Sequence, residues 1–450
     1  MMTDSINGRL QLLTFTLAVV AVSLAGLSHA RAQSSTPALF VSNNGNLEGS
    51  VSAFRVDANG ELEFVNKVIT GSRASTSDPC PGCNAYEISL TPDGRHLVTI
   101  HPAGDFDGIS FLRVNADASV TLLHQFTFPA LQDGPLDVVW LDNEYVAAAI
   151  TGTNPDSVWV WRFDPNVPSM TFAFAVTAVS NSLGYLAVHP TGDYLYANDS
   201  SANRVVRAWT IGAGGSLTIL DAESTGVPFA LELAVSHDGT KLYGAGGISD
   251  GGNKVVGMTV NPDGTLTGMA GTPFISPGAS PSNVFLTGDD SVLVVGHGTD
   301  ATVRTLLVNP ITGALTASPF NFDVGLQGTL GDVRTMGDLM FVTDNSTATD
   351  GIMGVYSFKV GPDGSLTMNG PGAYTTTGIA PRSLATWVPE PPLGDMNCDL
   401  SVDLDDVEPF VEALLDPVGF GGCDVNLADV NQDTFIDGLD AGPFIDLLVP

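Results

Sequence analysis

The sequence predicts an all-β fold, a seven-bladed β-propeller, followed by a small α-helical domain built on calcium loops. Three observations carry this: a recurring four-strand unit, incomplete units at the two ends that complete each other, and a doubled Asp-rich spacing near the C-terminus. Fifty glycines and 28 prolines fit a chain that turns often, because these residues supply the backbone angles and breaks that turns need.

The repeat is clearest in "YEISLTPDGRHLVTIHPAGDFDGISFLRVNADASVTLL" from Tyr86 and "GYLAVHPTGDYLYANDSSANRVVRAWTIGAGGSLTIL" from Gly184. Each holds an alternating strand, a tight turn, a second strand, a longer loop, a third strand, a Gly turn and a fourth strand. The unit returns at Leu231 and Ser282, with weaker copies near Leu136 and Asp332. A period of roughly 45 to 50 residues is that of a four-stranded propeller blade. "ALFVSNNGNLEGSVSAFRVDANGELEFV", Ala38 to Val65, has the last three strands but no first, and "RSLATW", Arg382 to Trp387, is an isolated first strand. Joining the two closes the ring and leaves no open sheet edge. The propeller is therefore expected over residues 38–388.

Composition narrows the function. The 450 residues carry 49 Asp and Glu against 16 Lys and Arg, a net charge of −33. That excludes nucleic acid as a partner, since phosphate binding relies on clustered cations. Arg9, the apolar run Leu12 to Leu27 and the small-x-small Ala30-Arg31-Ala32 make residues 1–32 a signal peptide on this reading, with an uncleaved membrane anchor as the other reading. The expected location is secreted or at the cell surface. Four cysteines, Cys80, Cys83, Cys398 and Cys423, are an even count that favours disulfides in an exported chain.

The strand and turn pattern "ALFVSNNG…GSVSAFRVD", the "PDG" turns and "NPDGTLT" resemble the lactonase-type seven-bladed propellers, which include the propeller-type 6-phosphogluconolactonase and the carboxymuconate lactonising enzyme. The likeness spans about 350 residues by the blade count. It implies a site where first strands meet at one mouth of the channel. The family's His falls on Gly184, its Asp-Arg pair on Asn203-Arg204 and its Arg-His on Leu231-Glu232, so only Arg204 matches. Lactone hydrolysis needs a base for water and a cation or donor for the developing oxyanion. Glu232 and Arg204 are the candidates, supported by His101, His297, Asp137 and Asp344. The plainer alternatives are loop histidines that cap turns, a channel-solvating Glu232 and a surface ion pair for Arg204.

After the Pro-rich hinge, residues 389–394, the stretch 391–450 holds 14 Asp and Glu and no Lys or Arg. Asp395, Asn397, Asp399, Ser401, Asp403 and Asp406 occupy positions 1, 3, 5, 7, 9 and 12 of a calcium loop. Asp429, Asn431, Asp433, Phe435, Asp437 and Asp440 repeat it 34 residues later. Calcium takes six to eight hard oxygens, and this spacing turns alternate side chains inward, with a backbone carbonyl at position 7. Two bound calcium ions are expected. Asp at position 12 and the apolar segments "VEPFVEALL" and "AGPFIDLLV" resemble a type I dockerin over residues 395–450. Leu400 and Thr434 stand where such loops carry Gly, and Leu404-Asp405 and Gly438-Leu439 where many dockerins carry Ser/Thr. The resemblance implies a cohesin-like or other extracellular docking protein as partner. A Cys398–Cys423 bond would staple this small domain.

The missing family residues favour an extracellular binding platform, tethered through its calcium module and taking a small carbohydrate or lactone. The alternative is a secreted hydrolase of a sugar lactone or related cyclic ester.

Overall fold

The computed structural model describes residues 36–448, apart from residues 46–47, 71–84, 103–107, 129–133, 152–154, 168, 178–182, 200–203, 228–230, 247–251, 326–329, 346–352 and 399. Cys80, Cys83, Asn203, Asp399 and the expected signal peptide lie outside the described residues. Among those described, the strands form seven antiparallel sheets, each with a four-strand meander. Blade 1 joins both ends of the repeat: Pro381–Trp387 pairs with Ala38–Gly45, which pairs with Glu48–Val56, which pairs with Leu62–Ile69. The innermost strands of blades 2 to 7 are Ile88–Leu90, Pro135–Trp140, Leu183–Val188, Leu233–Val235, Pro281–Leu286 and Leu330–Met336. Blade 5 departs from the pattern, because its outer strand is only Leu266–Gly268 and the short Phe274–Ile275 also pairs with its third strand.

Position in the blade explains each strand's composition. Second strands are covered on both faces, so "HLVTIH" of His96–His101 is buried throughout, as a central strand between neighbouring blades must be. Outermost strands meet solvent, and in Val120–Thr127 only the first residue is buried, the rest being half-buried or exposed. Adjacent blades interlock through apolar clusters; Phe111 of blade 2 stacks on Phe163 of blade 3 with ring centroids 4.2 Å apart. Polar pins recur between blades. Tyr196 Oη donates to the Gly264 carbonyl at 3.2 Å, Tyr243 Oη to Gly313 at 2.8 Å, and Ser357 Oγ to Gly60 at 2.6 Å. Gly264 holds a left-handed φ of 79°, and a Cβ there would collide with the Tyr194 ring.

The C-terminal region contains two helices, α1 (Val407–Leu415) and α2 (Ala441–Leu448). Phe410 and Phe444 stack at 3.9 Å over a core with Met396, Ala413 and Ala428. Cys398 and Cys423 form a disulfide with Cα atoms 5.8 Å apart. So few buried side chains give a weak core on their own, and a cross-link offsets that. No described helix is long and apolar enough to cross a membrane.

Ring closure makes a direct expectation. A chain ending at residue 380 lacks the inner strand of blade 1 and exposes the edge of Ala38–Gly45, so it should aggregate or lose cooperative thermal unfolding. A chain ending at residue 390 keeps that strand and should retain the propeller's melting transition; equal behaviour of the two truncations would contradict the closure.

Candidate functional site

Closing seven blades brings seven inner-strand positions onto one ring. Glu87, Asp137, Tyr185, Glu232 and Asn283 each lie four residues before the residue whose N–H closes the inner turn, Thr91, Leu141, His189, Ser236 and Thr287. In blades 7 and 1 the corresponding residues are Asp332 and Ser383, just before Val333 pairs with Val342 and Leu384 with Val41. Tyr185 is half-buried and the other six are buried.

Arg334 and Asn283 join Glu232 and Asp332 into one cluster, with Asp137 and the Glu87–Arg382 pair elsewhere on the ring. Arg334 donates from Nη2 to Glu232 Oε1 at 3.0 Å, and its Nε lies 3.4 Å from Asp332 Oδ2. Its guanidinium carbon sits 3.9 Å over the Phe285 ring. Asn283 Nδ2 donates to both Glu232 Oε2 at 2.9 Å and Asp332 Oδ1 at 3.0 Å. Ser282 Oγ donates to Asn283 Oδ1 at 2.8 Å and so fixes which end of the amide faces the acids. Asp332 also accepts the Val333 and Leu384 N–H groups, and Asp137 those of Val138 and Leu186. On the far side, Arg382 lies 3.6 Å from Glu87, donates to Tyr86 Oη at 2.6 Å, and stands over the Tyr86 ring.

Three of the four buried carboxyls thus lie against two guanidiniums, Asp137 against backbone N–H groups, and burial disfavours the charged forms of all four. Burial pushes Glu87 up to about 8 against the pull of Arg382. It pushes Asp137 up to about 6 although two backbone N–H groups favour its anion. Glu232 is held well above the ordinary carboxylate range by burial, against the pull of Arg334, and Asp332 is raised by the same cause. These groups titrate as a set rather than singly. A cavity of about 370 Å³ runs along the inner strands, with Asp137, Glu232 and Arg334 at one end and His237 and Thr386 toward the other.

The residues expected from sequence fall in different places. Glu232 is in the ring, and so is Asp137. The guanidinium set against Glu232 is that of Arg334, whereas Arg204 is exposed just before the third strand of blade 4, its carbonyl taken by Thr225. His101 and His297 correct the loop-cap reading: they end second strands and are buried, His101 against Ser110 at 2.8 Å and His297 against Ser276 at 2.9 Å. Burial lowers them to about 3 and about 4, so both are neutral packing groups at neutral pH. Asp344 is buried at the end of its second strand. Glu87, Asn283, Asp332, Arg334 and Arg382 were not found from sequence; counting back from each inner turn would have found the first three.

In the C-terminal domain the two loops repeat the same hydrogen bonds. Asp406 Oδ1 accepts from Asn397 N and Oδ2 from Asp403 N; Asp440 does so from Asn431 N and Asp437 N, all between 2.8 and 3.0 Å. Leu400 and Thr434 adopt left-handed φ values of 73° and 74°, so the loop bend forms without Gly, at the strain a Cβ imposes. Among the described residues, no three His, Cys, Asp or Glu side chains converge as a metal-holding group.

The raised carboxyl set has a stability consequence. Glu87 binds its proton more tightly folded than unfolded, so its contribution is present below the unfolded value near 4.5 and lost as pH rises through about 8. The buried histidines act oppositely, and their contribution is lost below about 6.5. Between pH 6.5 and 8 the carboxyls act in the same direction as His237, whose proton the Asp290 bond holds above its ordinary value, so thermal stability should fall across that range, and Glu87→Gln should flatten part of the fall. A wild-type melting temperature that rises there would contradict the arrangement.

The family described as lactonase, 7-bladed β-propeller, matches residues 21–330. No curated protein sequence matches the chain. Among solved structures, the chain is similar to a periplasmic gluconolactonase of Pseudomonas aeruginosa, at 18% identity and TM-score 0.59 over 79% of this chain and 99% of that one. A candidate 6-phosphogluconolactonase of Bacteroides uniformis aligns at 15% identity and TM-score 0.61, over 78% and 99%. A functionally unknown protein of Desulfotomaculum acetoxidans aligns at 17% and 0.58, over 79% and 100%. At such identities these structures speak to the fold, while the family match covers more than half the sequence: the chain belongs to the lactonase family of seven-bladed β-propellers.

Proposed function

We propose that the propeller is a hydrolase of sugar lactones, acting at the charged end of its channel cavity. The observation that carries this reading is the junction of Asp137, Glu232 and Arg334 at one end of that cavity. Asp137, pushed up to about 6, is mostly ionised at neutral pH yet basic enough to take a proton from water. Arg334 is the donor for the oxyanion that forms as water adds to the lactone carbonyl. Glu232, held above the ordinary carboxylate range by burial, serves to aim Arg334, with Asn283 holding Glu232 in turn. Water oxygen bonds the acyl carbon, its proton passes to Asp137, and collapse breaks the ring C–O bond. The departing alkoxide takes the proton back and leaves a hydroxy acid.

Turnover of glucono-δ-lactone should rise with pH through about 6, as the Asp137 carboxyl ionises. Asp137→Asn should lower kcat by about 10²-fold or more, and Arg334→Met should do likewise with the fold retained by circular dichroism. Unchanged kcat in both variants would refute these roles. A binding platform remains the second reading, favoured by one observation: both Glu232 oxygens are already engaged, by Arg334 and Asn283. Lactone binding without turnover would support it.

We also propose that residues 395–450 bind two calcium ions and act as a dockerin-like tether outside the cytoplasm, to a cohesin-like or other docking protein. The repeated loop hydrogen bonds and the oxygen-only donor set support calcium over softer metals. Bound calcium would be held by the residues at positions 1, 3, 5, 7, 9 and 12 of each loop, and would neutralise carboxylates that otherwise repel. Titration calorimetry of the intact protein should find two calcium sites, with one lost in Asp406→Ala and one in Asp440→Ala. Heat signals absent at millimolar calcium would overturn this.

A further inference from the structure

The charge arrangement around the cavity says which lactones can enter it. We propose that the site selects an uncharged polyhydroxy lactone and rejects one that carries a phosphate or carboxylate; this rests on the hydrolase reading above. Both guanidiniums of the ring are engaged, Arg334 with Glu232, Asp332 and the reacting carbonyl, and Arg382 with Glu87 and the Tyr86 hydroxyl, which leaves neither for a second, anionic group on the substrate. With four carboxyls against two guanidiniums, the fully ionised ring carries minus two, and each guanidinium keeps a carboxyl beside it. The one imidazole in the cavity lining, His237, is paired with Asp290 at 2.8 Å. Among the described residues, the other cations toward the end where the inner strands begin, Lys67, Arg204, Arg207, Lys254 and Arg304, stand on third or fourth strands or just before them. They are outward of the channel wall.

What the wall does offer is suited to hydroxyl groups. Inner strands pair on one side only, so their other backbone edges face the channel and supply neutral donors and acceptors. Ser89, Thr335 and Thr386 add hydroxyls to the same lining. A polyol lactone can exchange its water hydrogen bonds for these. A phosphate dianion would surrender hydration with no cation in return, inside a chain of net charge −33. The same field works on the product. Hydrolysis converts a neutral lactone into a carboxylate, which must compete with Glu232 and Asp332 for Arg334, so the hydroxy acid should leave readily and inhibit weakly.

The test uses the intact protein with glucono-δ-lactone and 6-phosphoglucono-δ-lactone. At about 20 mM salt the neutral lactone should have a kcat/KM higher by about 30-fold or more, and the gap should narrow at about 0.5 M salt as the repulsion is screened. Gluconate should inhibit only far above the KM for its lactone. A phosphorylated lactone hydrolysed as well as the neutral one would overturn the selectivity and leave the hydrolase reading standing. Hydrolysis of neither, with folded protein, would remove the hydrolase reading and this inference with it.

Discussion

The structure depends on one pairing. The strand Pro381–Trp387, near the end of the propeller sequence, fills the inner place beside Ala38–Gly45, near its start. Without it blade 1 has three strands and the ring has a gap; with it, seven inner edges face one axis. The same closure sets Leu384 N against Asp332 and Arg382 against Glu87. The strand that completes the fold therefore also completes the charged network, and the chemistry of the channel cannot be assembled before the ring is.

That network is costly, which makes it informative. Removing carboxyls from water disfavours their ionised forms by several kcal/mol each before compensation, and a propeller channel could be lined with apolar or neutral groups instead. Here, four acids have only two guanidiniums, an amide oriented by Ser282 and a few backbone N–H groups to answer them. Charge that is incompletely answered must be relieved by protons. Groups that exchange protons near neutral pH are what hydrolysis of a cyclic ester requires.

Much of the fold was legible because it follows from local rules. Period-two strands, Gly turns and the missing first strand of "ALFVSNNG" fixed the blade count and the closure without any long-range information. The site was legible only in part. Glu232 and Asp137 could be placed near a mouth, but their cation could not, because Arg334 comes from blade 7, whose "RTMGDLM" turn lacks the P-D-G of blade 2 and the related H-P-T-G-D and S-H-D-G turns of blades 4 and 5. Arg204 fits only a place in a family pattern, and an exposed residue just before a third strand does not reach the wall by pattern alone. The histidines misled for a similar reason: sequence marks His101 and His297 as polar, while packing between blades buries both.

The central claim is that buried carboxyls in the channel share protons across the neutral range. Titration of the side-chain carboxyls by carbon NMR, with Asp and Glu labelled, measures this directly. The account requires one carboxyl titrating near 6 and another near 8, as for Asp137 and Glu87, both moved in Arg334→Met. If every Asp and Glu titrates below about 5, in the ordinary solvated range, the ring is solvated and fully ionised, and the proposed chemistry has no base of the required strength.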